Sequence, residues 1–258
     1  MSGRALRLRR LFPPSGRRLF AVPLDHSVTL GPIEGLEEIG GLAGDLVAAG
    51  ADLLIVPKGA VDRVVPHLGP RTLLGIHLSA STGLGPAPDH KVLVGSPAEA
   101  AALGADVVSV QVNFGTPGEA AMLEALGRTA DGCRAAGVPL LCMAYVKGPR
   151  PPRPEELRHA ARAAADLGAD VIKTSHPGDP AEFRRTVATT PVPILVSGGE
   201  SAPDGEGAEG VLRFIDASLA EGAAGICIGR RLFQQRPRGP FLRRVEERVH
   251  ADRDRPAA

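Results

Sequence analysis

Lysine is rare in this chain. Lys58, Lys91, Lys147 and Lys173 are the whole set, although Lys and Arg together number 30. Where arginine covers the surface, each lysine asks for a reason; a compositional bias of the source genome, which also fits the excess of Ala, Gly and Pro, is the plainer alternative. A dominant charge is lacking too. The formal net charge of +1 gives no pull toward nucleic acid. Cysteine occurs only at Cys133, Cys142 and Cys227, with no close spacing. That argues against a disulfide scaffold or a structural zinc site and suits a reducing cytosol. No apolar run approaches the roughly 18 residues of a membrane helix. The basic start, Met1 to Arg10, lacks the apolar stretch of a secretory signal. A soluble, cytoplasmic protein is expected, with no nucleic acid or membrane partner.

What is present is an alternation of short apolar runs and helical spacing. Strands are expected at 19–24, 52–56, 73–78, 106–112, 139–145, 168–175, 192–196 and 224–228, and 92–94 forms a further short apolar run. Helical spacing fills 36–49, 60–68, 97–103, 117–136, 155–167, 180–189, 208–221 and 239–250. The strands are rich in Val, Ile and Leu, as expected when both faces are buried. Gly-Ala-Asp recurs at Gly50, Gly104 and Gly168, each time just before a strand. Glycine there fits a left-handed helix cap and a tight loop. Eight such units point to a single-domain (β/α)8 TIM barrel over residues 19–250, preceded by a basic arm (1–18) and followed by a polar tail (251–258). An open doubly wound sheet is the second choice. It would bring a Gly-x-Gly-x-x-Gly turn after its first strand, and here that strand ends in Asp25-His26.

A barrel carries its chemistry at the C-terminal ends of its strands. Those ends hold Asp25 and His26, Lys58, Ser79, Asn113, Tyr145 and Lys147, Lys173 and Ser175, Ser197 with Gly198-Gly199, and Gly229-Arg230. Lys173 follows Val171-Ile172, where an ammonium is costly to bury unless paired or deprotonated. A desolvated lysine has a lowered pKa and attacks carbonyls. The bland alternative is a strand-end lysine that reaches water. Asp25 alone could cap a turn, and Tyr145, the single tyrosine, could be a core ring. Together with Lys173 they make an amine nucleophile, a phenol acid/base and a carboxylate, a set suited to Schiff-base carbon–carbon chemistry. Ser197-Gly198-Gly199 and Gly229-Arg230 read as a phosphate cradle after strands seven and eight. His26, His77 and His176 lie near the rim without metal-ligand spacing, while His67, His159 and His250 are read as solvated. Zinc-dependent chemistry is disfavoured on that spacing, though ligands can come from distant strands.

Several motifs in register resemble the class I aldolases of the DeoC/FbaB group. They are Val22-Pro23-Leu24-Asp25-His26 with Gly31-Pro32-Ile33-Glu34-Gly35, His77-Leu78-Ser79-Ala80-Ser81-Thr82, Lys91-Val92-Leu93-Val94-Gly95, Met143-Ala144-Tyr145, Val171-Ile172-Lys173-Thr174, and Gly222 through Arg230. Within the group they look most like the 2-amino-3,7-dideoxy-D-threo-hept-6-ulosonate synthase branch and its secondary-metabolism relatives. The resemblance spans about residues 5–237. It implies Lys173 as the Schiff-base lysine, Tyr145 as proton donor and Asp25 as proton acceptor. It also implies substrate contacts from His26, Ser197, Gly198, Gly199, Gly229 and Arg230. It implies a TIM barrel in pentamers or decamers, with no metal or organic cofactor. The expected reaction joins a dihydroxyacetone-phosphate-like keto sugar phosphate to L-aspartate 4-semialdehyde. Fructose-1,6-bisphosphate cleavage, or another phospho-sugar reaction on the same barrel, is the alternative, and a non-catalytic sensor is a third reading. Three positions depart from the family pattern. Ser27 stands where glycine is usual. Lys147, expected to bind substrate, replaces the arginine of a Pro-Arg-Gly. Gln111 occupies a position where histidine is common.

Overall fold

The computed structural model describes residues 2–199 and 207–251. Eight parallel strands close a barrel in chain order: β1 (Leu19–Pro23), β2 (Leu53–Pro57), β3 (Leu73–His77), β4 (Val107–Phe114), β5 (Leu140–Val146), β6 (Val171–Thr174), β7 (Ile194–Ser197) and β8 (Gly225–Cys227). The expected (β/α)8 architecture is the one observed. Helices α1 (Gly3–Leu11), α2 (Ile39–Ala48), α3 (Pro97–Ala102), α4 (Glu119–Ala136), α5 (Pro154–Asp166), α6 (Pro180–Thr189), α7 (Gly207–Ala220) and α8 (Arg238–Val249) supply the helical layer and, with α1, one end. The helix expected at 60–68 is instead a short helix, Val61–Val64, between two 3-10 turns. Pro66, which lacks a backbone N–H, sits in the second turn. The run at 92–94 adds no barrel strand; Val92–Leu93 pairs antiparallel with Ser79–Ala80. Among the described residues no helix is long and apolar enough to cross a membrane.

Successive side chains on a strand face opposite ways, and two separate cores follow from that period. Phe20, Val22, Leu54, Val56, Ile172 and Val196 belong to the larger core with the helices. Leu19, Ala21, Leu53, Ile55, Leu141, Met143, Val171 and Leu195 fill the barrel itself. The same parity carried forward places Asp25, His77, Tyr145, Lys173 and Ser197 in line with the interior residues, at the strand ends.

The opposite end is braced by charge. Gly50, Gly104 and Gly168 take the left-handed conformation (φ +89, +89 and +105) and turn the chain sharply out of the preceding helix. The aspartate two residues later then starts every second strand. Asp52, Asp106 and Asp170 accept from the backbone N–H of Phe20, Leu74 and Leu140 on the neighbouring strand, at 2.9, 3.1 and 2.9 Å. Each also pairs with an arginine of the first seventeen residues: Arg17 with Asp52, Arg10 with Asp106 and Arg4 with Asp170. The basic segment is therefore docked across the barrel floor through α1, and Leu8, Leu11 and Phe12 pack against the inner core. Ala224 stands at the equivalent place before β8. There Gly225 lies so close to β1 that a Cβ would fall 2.2 Å from the Leu19 carbonyl oxygen.

Candidate active site

The strand ends surround a cleft of about 910 Å³. Every residue singled out for catalysis or substrate binding lines it: Asp25, His26, Tyr145, Lys147, Lys173, Ser197, Gly198, Gly199, Gly229 and Arg230. Ser79, Gln111, Ser175 and His176 line it as well. Other rim candidates leave the site. Lys58 opens a 3-10 turn and pairs with Glu99 at 3.0 Å. Asn113 is fully buried and donates to the Asp89 backbone carbonyl at 2.6 Å. Ser27 starts a short helix, Ser27–Leu30, and is not among the lining residues. His250 is 5% exposed and meets Asp52 at 2.8 Å and Glu246 at 3.0 Å, so it is not the solvated histidine expected. The segment 200–206, most of the expected glycine-rich loop, lies outside the described residues.

Lys173 is 5% exposed. Its Nζ stands 5.8 Å from the Tyr145 ring centroid and 3.8 Å from Met143 Sδ, a weak acceptor. Burial pulls its pKa down, but Cys227, Tyr145 and Asp25 push it up by more, so the amine is held above the ordinary lysine value. This reverses the lowered pKa expected from desolvation alone. Burial also raises the Cys227 thiol to about 11 and raises the Tyr145 phenol. Both are protonated at neutral pH, which leaves Asp25 as the anion facing the ammonium. Burial raises Asp25, yet His77, His26 and Lys173 outweigh it, and the carboxyl is held below its usual range. His77 Nε2 lies 3.6 Å from Asp25 Oδ2, and its Nδ1 lies 2.6 Å from Ser109 Oγ. His77 thus lines the cleft beside Asp25, a placement that spacing alone did not show. The parity of Leu73, Gly75 and His77 is the signal that points to it.

On the β7–β8 side the chain approaches itself closely. A Cβ on Gly229 would fall 2.5 Å from His26 Cε1, and one on Gly198 2.8 Å from Ile228 Cγ2. Ser197 Oγ and His26 Nδ1 are buried with no hydrogen-bond partner among the described residues. Buried polar atoms of this kind suit the oxygens of a bound ligand. Arg231, which follows Arg230, also lines the cleft and donates to the Gly198 carbonyl at 2.8 Å, tying β8 to β7. Among the described residues no group of three His, Cys, Asp or Glu side chains could hold a metal ion.

Burial lowers the His26 pKa to about 4, with Asp25 opposing and Lys173 and Arg230 adding to the shift. The unfolded chain takes up that proton near 6.5, so it binds more protons than the folded state between roughly pH 6.5 and 4. Stability is expected to fall as pH drops through this window, by about 3 kcal/mol from His26 alone. Urea midpoints at pH 7, 5.5 and 4 check this, and His26→Gln should flatten the decline.

The pattern of the DeoC/LacD family aldolases matches residues 19–235. A 2-amino-4,5-dihydroxy-6-oxo-7-(phosphonooxy)heptanoate synthase of Streptomyces griseus is 39% identical, over 99% of this chain and 93% of its own. A 2-amino-3,7-dideoxy-D-threo-hept-6-ulosonate synthase of Halobacterium salinarum is 38% identical, over 100% and 95%. Among solved structures, a Schiff-base-forming fructose-1,6-bisphosphate aldolase superposes with a TM-score of 0.84 at 28% identity, over 95% of this chain and 98% of that one. Barrel, cleft and these likenesses agree: the chain belongs to the DeoC/LacD family of aldolases, and is an enzyme of the class I, lysine Schiff-base kind.

Proposed function

We propose that this aldolase joins a keto sugar phosphate donor of the dihydroxyacetone phosphate type to L-aspartate 4-semialdehyde, giving a seven-carbon amino sugar acid. The observation that carries the mechanism is the meeting of Lys173, Tyr145 and Asp25 in one cleft. Neutral Lys173 Nζ attacks the donor ketone, and the carbonyl oxygen takes a proton from Tyr145 to give a carbinolamine. Loss of water leaves an iminium, which withdraws electrons from the neighbouring carbon. Asp25 takes a proton from that carbon, and the resulting enamine attacks the aldehyde. The new alkoxide is protonated in the site, and water adds to the iminium to free product and lysine. Ser197, Gly198, Gly199, Gly229 and Arg230 hold the phosphate, and His26 and Lys147 contact the rest of the substrates.

The choice of substrates is supported by two near full-length relatives at 38–39% identity, both named as seven-carbon synthases. Dihydroxyacetone phosphate offered with aspartate semialdehyde or with glyceraldehyde 3-phosphate separates the readings by mass spectrometry. The seven-carbon amino product is expected from the first pair. Fructose 1,6-bisphosphate as the sole product would instead favour the alternative activity, that of the 28% identical structural relative.

Tyr145→Phe removes the phenolic proton and keeps the ring. It is expected to lower kcat by about 10²–10⁴, with the Lys173 adduct still trappable by borohydride. Unchanged kcat would remove Tyr145 from the mechanism. A cytoplasmic location is supported by the three buried, unpaired cysteines. A homo-oligomer is part of the same reading, and Leu84 (98% exposed) and Leu30 (51% exposed) are apolar side chains that a partner would cover.

A further inference from the structure

The cleft has a second charged wall that the phosphate cradle does not use. The strands close in chain order, so β3 and β4 stand across the barrel from β7 and β8. The loop after β3 reaches the mouth on that far side and brings Asp89 and Lys91 into the cleft. Its shape is fixed from both ends. Ser79–Ala80 pairs with Val92–Leu93, Ser81 Oγ donates to the Pro88 carbonyl at 2.6 Å, and Gly83 N–H donates to the Thr29 carbonyl at 2.8 Å. Buried Asn113 holds the Asp89 backbone carbonyl at 2.6 Å and accepts from Gln111 Nε2 at 2.9 Å. Gln111, the departure from the usual histidine, thus works through Asn113 to set where Asp89 stands.

Lys91 Nζ donates to Thr29 Oγ1 at 3.0 Å and Ser81 Oγ at 2.6 Å. Both partners are neutral hydroxyls, and an ammonium has three donors. The third has no partner among the described residues, and no carboxylate pairs with this ammonium directly. Burial pulls the Lys91 pKa down against the pull of Asp25 and Asp89, so an anion bound beside it would be attracted by a poorly solvated charge. A wall meant for a second phosphate would gain nothing from a carboxylate two residues from its lysine. An α-amino acid end carries both signs on one carbon and uses both.

We propose that Asp89 and Lys91 form a zwitterion subsite that reads the α-ammonium and α-carboxylate of the aldehyde acceptor. Lys91 takes the carboxylate and Asp89 the ammonium, while the phosphate of the donor lies across the barrel against β7 and β8. Selectivity for an amino acid aldehyde then resides in the β3 loop, apart from the residues that make and break the carbon–carbon bond. This rests on the reading of the acceptor given above.

The test compares L-aspartate 4-semialdehyde with succinate semialdehyde, which lacks only the ammonium, each with dihydroxyacetone phosphate. The wild-type enzyme is expected to favour the first by at least about tenfold in kcat/KM. Asp89→Asn should cut kcat/KM for aspartate semialdehyde by at least tenfold and lose more there than with succinate semialdehyde, collapsing the ratio. Lys91→Met should lower both acceptors by similar factors of ten or more. Borohydride trapping with dihydroxyacetone phosphate alone reports the donor half-reaction. If trapping fails in the wild type, the Lys173 mechanism falls, and the acceptor ratio still judges the subsite. If trapping succeeds and Asp89→Asn leaves the ratio intact, the subsite is overturned while the mechanism stands. Turnover with glyceraldehyde 3-phosphate but neither semialdehyde overturns the subsite and the proposed acceptor together.

Discussion

Replacing Lys173 with methionine is expected to abolish turnover without unfolding the barrel. Without an amine there is no iminium and no electron sink, so kcat/KM should fall by at least about 10⁴. Lys173→Arg should be as inactive, because a guanidinium stays protonated. Borohydride reduction with dihydroxyacetone phosphate should add mass to the wild type and to neither variant. Methionine nearly matches lysine in volume and carries no charge. Removing the ammonium leaves the Asp25 carboxylate without the Lys173 charge that faces it, so the thermal midpoint of Lys173→Met should fall while the cooperative transition is kept. The wild-type rate should also depend on pH in one direction. The attacking amine must be neutral, and its pKa is held above the ordinary lysine value. The logarithm of kcat/KM is therefore expected to climb across the neutral and mildly alkaline range. Activity of Lys173→Met within tenfold of wild type would falsify the role of Lys173, and a flat profile would show an amine whose pKa its buried neighbours do not raise.

The second large effect lies at the other end of the barrel. Deleting residues 1–12 is expected to cost a large share of the folding free energy. Leu11 is 2% exposed, and Leu8 and Phe12 pack beside it on the inner core. At about 1.5–3 kcal/mol for the fully buried Leu11 and roughly half that for each of the half-buried Leu8 and Phe12, these three contribute roughly 3–6 kcal/mol. The deletion also removes Arg4 and Arg10 and leaves Asp170, 6% exposed, without its counter-charge. Domains of this kind are stable by about 5–15 kcal/mol. The truncated chain should unfold at much lower urea or lose its cooperative transition. A midpoint within about 1 M of the full chain would show that α1 covers the floor without supporting it.

The barrel was legible because its two signals are local. Glycine caps a helix through its own backbone, and Val-Ile-Leu runs mark strands with both faces buried. Lys173 was legible for a related reason, since a charge within an apolar strand has few places to go. Side-chain direction was harder to read. Lys58 follows a strand just as Lys147 does, but the 3-10 turn it begins carries it away to Glu99. Asn113 has the inward parity of Ser109 and Gln111, but its amide is committed to holding Asp89. His250 looked solvated because its partner Asp52 lies 198 residues away in the chain. The lysine pKa had the wrong sign for a similar reason. Burial can be inferred from neighbours in sequence, but the opposing groups come from β1, β5 and β8 and meet Lys173 only when the barrel closes.

The three arginine–aspartate pairs of the floor leave one even-numbered strand unlike the other three. β2, β4 and β6 are fastened to it by charge, and such fastenings weaken as salt rises or as carboxylates take up protons. β8 has Ala224 in that place and meets β1 through the close approach of Gly225 to Leu19. Between these two strands the contact is made by shape and backbone hydrogen bonding, neither of which titrates. The same seam carries Gly229 and Arg230. The corner proposed to hold the phosphate thus lies where the two strands meet by close approach rather than by charge, so a rise in salt is expected to weaken the grip on the phosphate more than it disturbs the backbone that shapes it.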